Sequence, residues 1–101
     1  MTKGTISHDN VRELRLYAYN TYELYPQFQA IIANLQRKIA SGTYDATLAP
    51  KLWRYWVDNA AKSYSREFGP CKFPACDRQA LAEQIAEEEY QGIMNGEYTQ
   101  R

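Results

Sequence analysis

Between Pro26 and Gly42 the chain carries Phe28, Ile31, Ile32, Leu35 and Ile39, an apolar series at i, i+3, i+4, i+7 and i+11. That period puts all five residues on one side of an α-helix and fits neither side of a strand. Both flanking residues agree with it. Proline is tolerated in the first turn of a helix, where its missing N–H has no intrahelical acceptor to lose. Glycine after Ser41 is the residue that most readily adopts the left-handed conformation closing a helix. Asn20 followed by Glu23 loosely fits a capping box ahead of this segment. A helix with so wide an apolar stripe must bury it, and the remaining sequence offers only other helices for the purpose.

Upstream, Ser7 can cap a helix, and Val11, Leu14 and Ala18 share one face, which Leu16, Tyr17 and Tyr19 widen. Asn20 and Thr21 interrupt it. Downstream, Asp45 is a suitable N-cap for a third helix, with Pro50 near its start. Leu48, Leu52, Trp53, Trp56, Val57, Ala60, Tyr64 and Phe68 form its apolar stripe, while Lys51, Arg54, Asp58, Lys62 and Arg66 fall on its solvated faces. Gly69-Pro70 ends it. A loop with flanking prolines follows, covering residues 70–76. Asp77 can cap a fourth helix whose core face is Leu81, Ala82, Ile85, Ala86, Ile93 and Met94. Glu83, Glu87, Glu88 and Glu89 give it an acidic face, and Gly96 stops it. No alternating strand pattern and no internal repeat interrupts this series. The expected fold is all-α, a compact bundle of about four helices with short loops. It forms one domain over residues 1–101, with a loose start at 1–6.

Composition supports a modest core that needs neither disulfide nor metal. The 101 residues include nine Tyr, two Trp and three Phe, and each buried aromatic contributes a large apolar area. Residues 1–10 are polar, unlike a secretion signal, and no apolar run approaches bilayer length. A cytoplasmic protein is expected, with Cys71 and Cys76 as reduced thiols.

The usual sources of chemistry are missing. Cys71 and Cys76 make half of a zinc site at best, and His8 is the sole histidine. A nucleophilic triad needs a base and an orienting group that this chain does not offer. Glu83 and Glu87 lie on one side of a helix, but as part of an acidic solvated face rather than as a buried pair with split pKa values. The five glycines are scattered, with no phosphate-cradling loop. The expectation is no enzyme, no metal and no cofactor.

Charge is the more informative property. The chain has 12 basic and 12 acidic side chains and no formal net charge, so as a whole it is neither a nucleic-acid binder nor a DNA mimic. The distribution is uneven. Residues 1–72 hold ten Lys/Arg and six Asp/Glu, a balance of +4, and residues 73–101 hold two and six, a balance of −4. Lys51, Arg54, Tyr55, Lys62 and Arg66 make a basic, aromatic-bearing surface on the third helix, with Asp58 among them. Glu83, Glu87 and Glu88 make the acidic counterpart. Arg37 and Lys38 close the second helix, where cations favour its dipole.

The segment GTYDATLAPKLWRYWVDNAAKSYSREF, residues 42–68, preceded by YELYPQFQAIIANLQRKIAS, resembles a set of small phage and prophage proteins. Their pattern combines L-Y, N-L-x-x-K, G-T-Y-D, K-L-W-x-Y-x-V-D and A-K-x-Y-x-x-E-F. It is matched by Leu24, Tyr25, Asn34, Leu35, Lys38, Gly42, Thr43, Tyr44, Asp45, Lys51, Leu52, Trp53, Tyr55, Val57, Lys62, Tyr64, Glu67 and Phe68. The likeness covers residues 22–69. It departs at Ala40 and Ser41, and at Trp56 in place of a leucine. It implies a phage-type origin and a small helical fold, and carries no established activity with it.

Two functions follow as expectations. In the first, a small phage-type accessory protein binds a host protein or complex stoichiometrically, for instance as an anti-CRISPR-like inhibitor of host defence. Its docking residues would be Lys51, Arg54, Tyr55, Lys62 and Arg66, or Glu83, Glu87 and Glu88. In the alternative, a helical protein associates with nucleic acid through Arg37, Lys38, Lys51, Arg54, Lys62 and Arg66. Either could dimerise through surplus aromatic residues, and no membrane partner is expected.

Overall fold

The computed structural model describes residues 6–70 and 73–97. They form four helices in sequence: α1 His8–Asn20, α2 Tyr25–Ser41, α3 Ala49–Phe68 and α4 Ala75–Met94. No strand occurs among the described residues. The all-α, four-helix expectation therefore holds. Cys71 and most of the loose start, residues 1–5, lie outside the described residues.

Each helix begins and ends for a local reason. Ser7 caps α1, its hydroxyl accepting from the Asn10 amide at 3.2 Å. The expected capping box ahead of α2 does not form. Instead Tyr22–Leu24 makes a single 3₁₀ turn, Asn20 donates its side-chain amide to the Leu16 carbonyl, and Glu23 accepts from Ser63 of α3. Gly42 closes α2 at φ 77°, where the amides of Gly42, Thr43 and Tyr44 satisfy the last carbonyls.

Asp45 does not cap α3. Its carboxylate accepts from the backbone amide and the hydroxyl of Thr47, which builds a turn, and α3 begins four residues later at Ala49, next to Pro50. Those two bonds hold the Asp45 carboxyl below its ordinary pKa. Asp77 does not cap α4 either. The helix starts earlier, after Pro74, which puts Cys76 inside its first turn rather than in the loop. Asp77 is 1% exposed and accepts from the Ser7 backbone amide and the Asn10 side chain. It thereby joins the start of α4 to the start of α1.

One core draws on all four helices. Leu14, Leu35, Trp53, Trp56, Leu81 and Ile85 are among its fully or almost fully buried members, and Phe73 closes it from the loop. Burying a side chain of this size stabilises the fold by about 1.5–3 kcal/mol. The α2 series is buried at Phe28, Ile31, Ile32 and Leu35, and Ile39 is half-buried at its end. The stripes on the other helices are narrower than their spacing suggests. Leu16 is 58% exposed, and Leu48, Phe68 and Met94 also face solvent. Tyr19 is partly exposed and sets its ring edge-on against Phe28 and Trp56. The Trp56 indole donates to the Leu24 carbonyl at 2.9 Å, fastening the 3₁₀ turn to α3.

Candidate functional site

Helices α3 and α4 form the most extensive pairing in the molecule. They run antiparallel. Asp58, midway along α3, accepts from Arg78 in the first turn of α4, whereas Pro50 at the start of α3 borders the same hollow as Tyr90 near the end of α4. Trp53, Trp56, Val57 and Ala60 of α3, and Leu81, Ala82 and Ile85 of α4, point into the core. At 100° per residue, Lys51, Tyr55, Lys62 and Arg66 fall opposite the α3 core residues, and Glu83 and Glu87 opposite those of α4. The two sets share the outward face of the α3–α4 hairpin.

The middle of this face is a closed polar network. Asp58 accepts from the Arg54 Nε at 2.9 Å and from an Arg78 Nη at 2.8 Å. Arg54 also donates to the Gln79 Oε1 at 2.8 Å, and Gln79 donates to Glu83 at 3.0 Å. Arg78 further donates to the Phe73 carbonyl. Arg54, Asp58 and Arg78 are only partly exposed, whereas Glu83 at the edge of the network is exposed. Arg54 is therefore not a freely presented cation, as its sequence position suggests, but part of the seam between the helices. Asp58 does not dilute the basic surface at large. Its charge is spent on two guanidinium groups.

A cationic hollow of about 570 Å³ opens at one end of the seam, lined by Tyr55, Asn59, Lys62, Ser65, Arg66 and Arg78 among others. The phenol of Tyr55 projects from it, 71% exposed. Arg66 approaches Glu23 at 3.9 Å, both well exposed, a contact of little energetic weight. Lys51 and Lys62 form no ion pair among the described residues. The Ser65 hydroxyl is buried at the atom and finds no hydrogen-bond partner among the described residues. Tyr55, Lys62 and Arg66, grouped by sequence spacing, line one hollow here, and Arg78 and Ser65, which that spacing does not indicate, line it too. Arg78 joins the hollow only because α4 folds back antiparallel, which no local spacing encodes.

At the other end of the seam lies an acidic hollow of about 550 Å³, lined by Tyr44, Pro50, Glu83, Ala86, Glu87 and Tyr90 among others. The Tyr44 and Tyr90 rings stack with centroids 4.7 Å apart. Burial, and next the neighbouring Tyr90 and Asp45, push the Tyr44 phenol above its ordinary pKa. Glu87 has no cation partner among the described residues, and Glu83 is bonded only to neutral Gln79. The rest of the expected acidic face is spoken for. Glu88 pairs with Arg15 of α1, and Glu89 is 8% exposed and accepts from the Tyr19 phenol at 2.6 Å.

Lys38 and Lys51 border a third, mostly apolar hollow between α2 and α3, while Arg37 is exposed and borders none of the three. His8 is exposed at the start of α1. No group of three His, Cys, Asp or Glu among the described residues could hold a metal ion, and no helix is long and apolar enough to cross a membrane. Comparisons with protein-family models, curated proteins and solved structures return no match.

Proposed function

We propose that this chain is a stoichiometric binding protein that docks an acidic surface of a partner protein against the outward stripe of α3. The observation that carries this reading is the row Lys51, Tyr55, Lys62 and Arg66, exposed together on one helix, with two of its three cations in no ion pair among the described residues. Exposed cations steer the encounter, and a protruding tyrosine serves as the anchor. The likeness to phage proteins gives the partner a concrete form, a host protein or complex of a bacterial defence system held inactive by occupancy. The experiment is capture from host lysate with wild-type protein, with Lys51→Glu/Lys62→Glu/Arg66→Glu, and with Glu83→Lys/Glu87→Lys. A partner retained by wild type and by the α4 variant, and lost by the α3 variant, supports the reading. Retention by all three removes it.

The placement of Tyr55 between Lys51 and Lys62 also favours a second reading, in which a nucleic-acid strand tracks the cations and stacks a base on the phenol. Binding of a single-stranded oligonucleotide that weakens steeply with salt and is lost in Tyr55→Ala supports this reading. No mobility shift at low salt removes it.

A further inference from the structure

We infer that the outward face of the α3–α4 hairpin is a self-complementary surface on which a second copy of this chain docks. The sequence separates charge into a basic body and an acidic end, and folding puts the unspent part of each on this one face. Lys62 and Arg66 stand at the end of the seam where Arg78 lies, and Glu83 and Glu87 at the end where Pro50 and Tyr90 lie; Lys51, next to Pro50, borders the hollow between α2 and α3 instead and offsets only one of the two glutamates at that end. The network Arg54–Asp58–Arg78–Gln79 between them satisfies its own charges and presents no net excess that would repel a copy of itself beyond one guanidinium.

A surface with opposite charges at its two ends has one simple closed solution. A two-fold axis lying in the face, across the line from one hollow to the other, sets the cationic end of each copy on the acidic end of the other. Every contact then occurs twice, so a modest exposed ion pair counts double. Tyr55 projects from the cationic hollow, 71% exposed, and offers an aromatic anchor to the facing copy. The acidic hollow offers an apolar floor of Pro50, Ala86 and the stacked Tyr44 and Tyr90. This inference does not need the proposed partner. It does imply that the α3 stripe is covered in the dimer, so self-association and partner docking exclude each other.

Light scattering and sedimentation equilibrium on the purified chain test it. At low ionic strength wild type is expected at twice the chain mass, dissociating as salt rises. Lys62→Glu/Arg66→Glu makes both ends acidic, and Glu83→Lys/Glu87→Lys makes both ends basic. Each variant alone is expected to weaken association by about tenfold or more. An equimolar mixture of the two has attraction restored at both contacts and is expected to form a heterodimer as tight as wild type. Because all four positions are exposed, far-UV circular dichroism should match wild type, and recovery in the mixture independently shows both variants folded. A wild-type monomer at low salt, a dimer indifferent to either reversal, or a mixture that stays monomeric overturns the inference. Failure of lysate capture leaves it standing, since no partner takes part in these measurements.

Discussion

Trp53 and Trp56 are both buried on α3, yet a single hydrogen bond separates their roles. The Trp56 indole N–H donates to the Leu24 carbonyl, whereas that of Trp53 finds no acceptor among the described residues. Replacing either by Phe removes similar volume, but Trp56→Phe also removes a buried hydrogen bond to the Leu24 carbonyl. Trp56→Phe is therefore expected to destabilise by about 1 kcal/mol more than Trp53→Phe, read as the difference between their urea midpoints at unchanged slope. The apolar spacing identifies both tryptophans as core and cannot tell them apart, because the acceptor sits 32 residues away on another element. Asp77 teaches the same lesson. An Asp ahead of an apolar run reads as a cap, but Pro74 starts the helix earlier and turns the carboxylate towards the Ser7 amide and Asn10. Asp77→Ala removes the buried acceptor that joins the two helix starts, with an expected loss of about 2 kcal/mol in chemical denaturation, and Asp77→Asn, which keeps one acceptor, loses less.

At the scale of the element, helix existence follows from apolar period and helix-breaking residues, which act locally. Helix α2 could be located from Phe28 to Leu35 and from Gly42 alone. Width of the buried face could not, because it depends on how many neighbours a helix has. Leu16 extends the α1 stripe by spacing and still faces water, and Glu89 joins an acidic run and is nonetheless buried under Tyr19. The candidate site shows the same limit. Tyr55, Lys62 and Arg66 share a helix face and were legible together, whereas Arg78 and Tyr44 reach the two hollows through the α3–α4 pairing. Tyr44 turns that pairing into a pH dependence, since it ties the α2–α3 connection to Tyr90 of α4. Its folded pKa is raised, so folding favours the neutral phenol. The associated stability is complete below the ordinary value of 10.0 and falls as pH rises through the folded value. The stability of wild type relative to Tyr44→Phe is expected to be constant at neutral pH and to decline only in the alkaline limb, measured by denaturant unfolding across that range.

At the scale of the molecule, the four helices share one cluster of buried side chains rather than two adjoining ones. Asp77 fastens α4 to the start of α1, Trp56 fastens α3 to the turn before α2, and the Arg54–Asp58–Arg78 seam fastens α3 to α4. No helix can leave without exposing core surface on at least one neighbour, and an isolated helix of this length is marginal in water. Unfolding should therefore be a single cooperative step. Tryptophan fluorescence reports the packing around α3, where Trp53 and Trp56, the two tryptophans of the chain, meet Phe28 of α2 and Trp56 meets Tyr19 of α1. Far-UV circular dichroism reports all four helices. The two thermal transitions are expected to coincide, and the calorimetric enthalpy to equal the van't Hoff value. An earlier dichroism transition would show that helix is lost away from the tryptophans while their packing against α1 and α2 persists.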